Sequence, residues 1–138
     1  MKIILMIMFS MSILNAEFIK IGNIVQDNVS GLEWQDESSI YLKNWKNAIS
    51  YCTDLSLNGS GWRLPNINEL RSISNRRLKP AIVQGFKNVK GDFYWSSTAW
   101  KGLVTDAWGI DFEYGEDRTL YKYVDTKRYV RCVRDMNK

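Results

Sequence analysis

The chain contains no histidine, and only two cysteines and two prolines in 138 residues. Without histidine it lacks the usual general base at neutral pH and the commonest zinc ligand. The cysteines, Cys52 and Cys132, lie behind what reads as an export signal, so both are expected in one disulfide and neither is left as a thiol nucleophile. A missing base and a missing nucleophile together argue against an enzyme. Also lacking is an apolar run of the roughly 18 to 20 residues that cross a bilayer. The run from Ile3 to Leu14 falls short of that and is broken by Ser10 and Ser12.

That short run has a recognisable setting. Lys2 precedes it, and the small residue Ala16 follows it, before a charged and polar stretch. Residues 1–16 therefore read as a secretory signal peptide, cut after Ala16 or one or two residues away, because Leu14 stands where a smaller residue is usual. Residues 17–138 are then expected as a single domain in the periplasm or at the cell surface, with no transmembrane segment after cleavage. A bridge from Cys52 to Cys132 would close a loop over most of that domain. In the chain-entropy picture such a loop stabilises by about 4 to 5 kcal/mol. The formal charge of +4 is mildly basic. It suits sulfated or carboxylated polymers but is far from a nucleic-acid footprint, and no nucleic acid is expected as a partner.

Short strands are predicted at Asn23–Gln26 and Leu32–Gln35, around a turn of Asp27, Asn28, Ser30 and Gly31. The stretch from Glu17 to Gly22 reads as a linker. Trp45, Ala48, Ile49, Cys52 and Leu55 then fall at helical spacing, with Asn44 as the N-cap and Asn58-Gly59 as the stop. A second helix starts at Asn66, with Glu69 completing a capping box and Ile67, Leu70 and Ile73 forming the buried stripe. Arg71, Arg76, Arg77 and Lys79 would face outward until Pro80 stops the helix, the last three as favourable charge at its C-terminus. Further strands are predicted at Phe93–Thr98, Ala107–Phe112, Leu120–Tyr123 and Tyr129–Arg134, with a hairpin connection at Gly115. Two helices followed by an antiparallel sheet give an α+β domain, stapled from first helix to last strand.

Five motifs resemble a known family. They are Gly31-Leu32-Glu33-Trp34-Gln35, Trp62-Arg63-Leu64-Pro65-Asn66 leading into Glu69-Leu70, Tyr94-Trp95-Ser96-Ser97-Thr98, Ala107-Trp108 with Phe112, and Tyr129-Val130-Arg131-Cys132-Val133-Arg134. In this order, over about residues 23–134, they are similar to the Lcl C-terminal domain family, named after a bacterial collagen-like surface adhesin. The resemblance implies a C-type-lectin-like fold: two helices packed on short antiparallel sheets, ligand-facing loops, and one disulfide from first helix to last strand. It also implies an exported bacterial adhesion or binding module. The collagen-like repeats of the named member are missing here.

Several motifs invite a chemical reading that a structural one outweighs. Arg63 beside Trp62 could bind a carboxylate or sulfate, but Leu64 plugging the core and Pro65 fixing the helix start explain the string. Trp95-Ser96-Ser97-Thr98 could pass for a nucleophile, yet without a base it reads as a strand. The oxygens of Asp106, Asp111, Glu113, Glu116 and Asp117 are not spaced as a calcium loop, and the family's lectin relatives use tripeptides absent here, so no metal and no cofactor are expected. A formylglycine-generating enzyme of the same broad fold is disfavoured because its chemistry uses the cysteines that the staple consumes.

The expected ligand surface lies in the loops between Thr98 and Arg128. It comprises Trp100, Lys101, Arg118, Tyr121, Lys122, Tyr123, Lys127 and Arg128. Rings stack on sugars and neighbouring cations pair with sulfates or carboxylates, so the expected ligand is a glycan, a polyanionic polysaccharide or a protein. The alternatives are a solvated edge whose aromatics cover the core, or the interface of a structural or assembly subunit in an envelope complex. Trp34, Trp62, Trp95 and Trp108 are expected to be buried, and Trp100 to be the most exposed tryptophan.

Overall fold

A computed structural model describes residues 17–121 and 126–136. The predicted signal segment, with Lys122 and Tyr123 of the predicted site, lies outside the described residues. In chain order the elements are β1 (Phe18–Ile21), β2 (Ile24–Asp27), β3 (Leu32–Gln35), β4 (Leu42–Lys43), α1 (Trp45–Asp54), α2 (Ile67–Ser72), β5 (Phe93–Ala99), β6 (Asp106–Asp111), β7 (Glu116–Tyr121), β8 (Arg128–Tyr129) and β9 (Val133–Asp135). The class is α+β, as expected.

Both helices start where the caps predict. Asn44 accepts the Asn47 backbone N–H at 2.9 Å, and α1 turns Ala48 and Cys52 inward. At α2 the capping box closes in both directions: Asn66 accepts from the Glu69 N–H at 2.8 Å and Glu69 accepts from the Asn66 N–H at 2.9 Å. The helix then stops at Ser72, well before Pro80. The returning segment takes the backbone groups that another turn would need. The Val83 N–H donates to the Ile73 carbonyl at 2.8 Å, the Asn75 N–H donates to the Ala81 carbonyl at 2.9 Å, and Ser74 bridges Ile82. Arg76, Arg77 and Lys79 are therefore not charges at a helix terminus.

The strands form two sheets, one ordered β1-β2-β3-β9 and the other β4-β8-β5-β6-β7. The second is mixed, because β5 and β8 pair in parallel through Tyr94 and Tyr129. Two further expectations are corrected here. The supposed linker contains β1, which pairs along the edge of the first sheet. The supposed single strand from Tyr129 to Arg134 splits into β8 and β9, one in each sheet, with the chain crossing between them.

Alternation along β5 and β6 sends side chains to two cores. Phe93, Trp95 and Ala107 pack with Ala48 and Cys52 of α1, together with Trp62 and Leu64. Tyr94, Ile110 and Phe112 pack with Ile67 and Leu70 of α2 and with Val25, Trp34 and Val133 of the first sheet. The Cys52–Cys132 disulfide lies in the first of these cores. Its Cα atoms are 5.4 Å apart and its sequence separation is 80, so it ties α1 to the crossover just before β9. Among the described residues no helix is long and apolar enough to cross a membrane.

Candidate ligand-binding surface

Around the family motifs most polar side chains are already engaged in the fold. Arg63 holds Glu69 through two hydrogen bonds, at 2.6 and 2.7 Å, which raise the basicity of its guanidinium. Ser96 is fully buried and donates to the Trp108 carbonyl at 2.6 Å. Thr98 uses its hydroxyl to accept the Ile67 N–H at the start of α2, at 3.0 Å. These strings position a helix and a hairpin, in line with the structural reading.

Beyond Thr98 the β5–β6 hairpin turns through Trp100 to Thr105. Its backbone is closed by the Trp100 N–H donating to Asp106 at 3.0 Å and the Asp106 N–H donating to Leu103 at 3.0 Å. The Trp100 indole folds over Gly102, where a Cβ would come within 2.7 Å of the ring. It also meets Trp108 edge-on, with centroids 6.5 Å apart. Trp100 is consequently half-buried, as are Trp45 and Trp108, whereas Trp34, Trp62 and Trp95 are buried. Trp108 departs from expectation because it lies near the hairpin end, beyond the cover of α2, and Trp100 shields only part of it.

Strand register sorts the remaining predicted residues. Asp106 pairs with Tyr121 and Trp108 with Thr119, so Tyr121 shares the face of Trp108. Arg118 lies opposite Gly109 and therefore on the other face. Its guanidinium is shared between Asp111 at 3.8 Å and Glu116 at 3.6 Å. Arg128 is on β8, separated from β7 by β5 and β6, a span of about 14 Å at ordinary strand spacing. It donates to the Lys127 carbonyl at 2.8 Å. The fold thus gathers Trp100, Lys101 and Tyr121 at the hairpin end and leaves Arg118, Lys127 and Arg128 elsewhere.

Sequence reasoning missed two members of the hairpin end. Leu103 and Val104 are exposed there, Val104 by 74%, beside Tyr121 at 55%. Two aliphatic residues following Gly102 in a turn were the available signal, since turns ordinarily carry polar side chains.

A small disulfide-stapled α+β module, with half-covered aromatics and bare aliphatics at one hairpin end, is what these elements define. The chain belongs to the Lcl C-terminal domain family, whose model matches residues 23–134. No curated protein matches it.

Proposed function

We propose that this chain is an exported, non-enzymatic binding module of C-type-lectin-like fold that takes its ligand at the β5–β6 hairpin end. Family membership supports an adhesin-like role. The observation that carries the site is the grouping of exposed Leu103, Val104 and Tyr121 around the Trp100–Trp108 pair. Exposed apolar groups clustered on a preformed turn are what a ligand contact needs and what a solvated edge avoids. A glycan would stack on the rings, with Lys101 beside them for a carboxylate or sulfate. A purely polyanionic ligand has less support, because Arg118 is held by two carboxylates and Arg128 stands across the sheet.

The aliphatic pair favours a second reading, an assembly subunit of an envelope complex docking through the same hairpin. One experiment separates the two. The purified protein and its Val104→Asp and Trp100→Ala variants are applied to a carbohydrate array and, in parallel, affinity-purified from cells that express them. Glycan binding lost in both variants supports recognition of sugar; a co-purifying subunit lost in both supports assembly; retention of both activities by the variants rejects the hairpin. Export is tested by the intact mass of the recovered protein, which should begin at Glu17.

A further inference from the structure

From residue 70 to residue 91 the chain carries Arg71, Arg76, Arg77, Lys79, Lys87 and Lys90 and neither aspartate nor glutamate. Three of these have visible structural roles or lie outside the concave region. Arg71 pairs with Asp117, Arg76 donates to the Gly115 carbonyl at 3.3 Å, and Arg77 caps no helix because α2 has already ended. Lys79 and Lys87 are different. Both line a groove of about 490 Å³ that is otherwise largely apolar, with Pro80, Ile82, Val83 and Phe86 among its walls. The lysines are exposed while Ile82 and Phe86 are buried, so charge stands at the rim and hydrocarbon at the base.

The groove is pinned on both sides. One side is fixed by the Ser74–Ile82 bridge and the Val83 N–H bond to Ile73. On the other, the Asp36 carboxylate accepts the backbone N–H groups of Lys87 and Asn88 at 2.9 and 3.0 Å. Between them Gly85, at φ +114°, lies so close to β1 that a Cβ would come 2.7 Å from the Phe18 carbonyl oxygen. A groove held in this way loses little freedom when it is filled.

Its chemistry selects an occupant. The Phe86 ring is not open for stacking on a sugar: Trp34 meets its edge with centroids 6.4 Å apart, and the Arg131 guanidinium covers it at 4.8 Å. The base therefore offers aliphatic contact, and the rim offers two ammonium groups. An extended peptide presents alternate side chains to opposite sides, so it can set hydrocarbon into the base while carboxylates reach the rim. We infer that this groove docks an extended, acidic segment of a partner protein in which carboxylate and aliphatic side chains alternate. The groove is separate from the hairpin surface. The Ala81 N–H bonds the Phe112 carbonyl, just beyond the end of β6 that lies away from the hairpin turn, roughly 17 to 20 Å along the strand.

The test uses the oxidised protein from Glu17 onward and a short fluorescent peptide of alternating glutamate and leucine, read by anisotropy. An all-glutamate peptide of equal length and a sulfated dextran serve as comparisons. The alternating peptide should bind best. Lys79→Glu with Lys87→Glu should weaken it by about tenfold or more, Lys79→Gln with Lys87→Gln should weaken it less, and Val104→Asp should leave it unchanged. Near-ultraviolet circular dichroism confirms that each variant is folded. Equal binding by both peptides or by the sulfated dextran would make the surface a general anion attractor and overturn the inference. So would indifference to both lysine pairs, sensitivity to Val104→Asp, or no binding at all. None of these results decides whether the hairpin recognises its own ligand.

Discussion

Asp36 Oδ1 lies 3.2 Å from Nη1 of Arg131, and the two side chains are 0% and 4% exposed. Lys20 of β1 adds a second cation at 2.7 Å, and two backbone N–H groups complete the cradle. Arg131 also donates to the backbone carbonyls of Gln35 and Asn88. One carboxylate therefore joins β1, the end of β3, the wall of the basic groove and the crossover between the sheets.

This carboxylate should set the acid limit of the fold. Burial by itself would raise the Asp36 pKa, but the Lys20 hydrogen bond, the two backbone donors and the Arg131 charge outweigh it and hold the group below the usual range. A depressed folded-state pKa contributes stability that is complete above the unfolded value, near 4, and is lost as pH falls through the folded one. Asp36→Asn leaves two cations facing a neutral amide and should cost about 3 to 5 kcal/mol at neutral pH. Urea denaturation across a pH series should show that loss, together with a flatter acid limb in the variant.

The same cluster explains what the sequence concealed. In β1 the usual pattern is reversed: Ile19 and Ile21 face solvent while Lys20 reaches inward to Asp36, so alternation read from hydropathy gives no strand. Tyr129 to Arg134 is continuous in sequence, and its division between sheets is tied to the burial of Arg131 against a residue 95 positions away. Local signals survived intact. The Asn66–Glu69 box, the Asn44 cap and the pairing of Cys52 with Cys132 follow from neighbours or compartment and appear as read. The end of α2 depends instead on Ala81–Val83 folding back on it, which no window around Ser72 contains. At the candidate site, only strand register reveals that Arg118 faces Asp111 and Glu116.

The staple joins segments with a sequence separation of 80 inside the core around Trp62 and Trp95. Replacing Cys52 and Cys132 together by alanine should destabilise the domain by about 2 to 5 kcal/mol. Guanidinium titration of the double variant should show a lower midpoint, and reducing agent should shift the wild type in the same direction while leaving the variant unmoved.

Gly109 sits in β6 with the Phe93 ring above it. A Cβ there would fall 2.2 Å from Phe93 Cζ and 2.2 Å from the Tyr94 carbonyl oxygen. The backbone oxygen cannot move aside without breaking the β5–β6 ladder. Gly109→Ala should therefore cost about 3 kcal/mol or more by overpacking, and thermal melts of the variant should show it.

Gly102 offers the contrasting case, and with it a test of the hairpin surface. A Cβ at Gly102 meets the Trp100 indole, a side chain on a surface turn that can swing away. Edge-on indoles such as Trp100 and Trp108 couple electronically, so the wild type should give an exciton couplet in far-ultraviolet circular dichroism. Gly102→Ala should weaken that couplet by displacing the ring, and Trp100→Phe should abolish it, each with a stability loss of at most about 1.5 kcal/mol. If the hairpin is the ligand surface, both variants should also lose signal on the carbohydrate array or in partner capture, and in the same order. A couplet that survives Trp100→Phe would show that the indoles are not paired. Binding that survives the loss of the couplet would separate the ring pair from recognition and leave Leu103 and Val104 as the contacts.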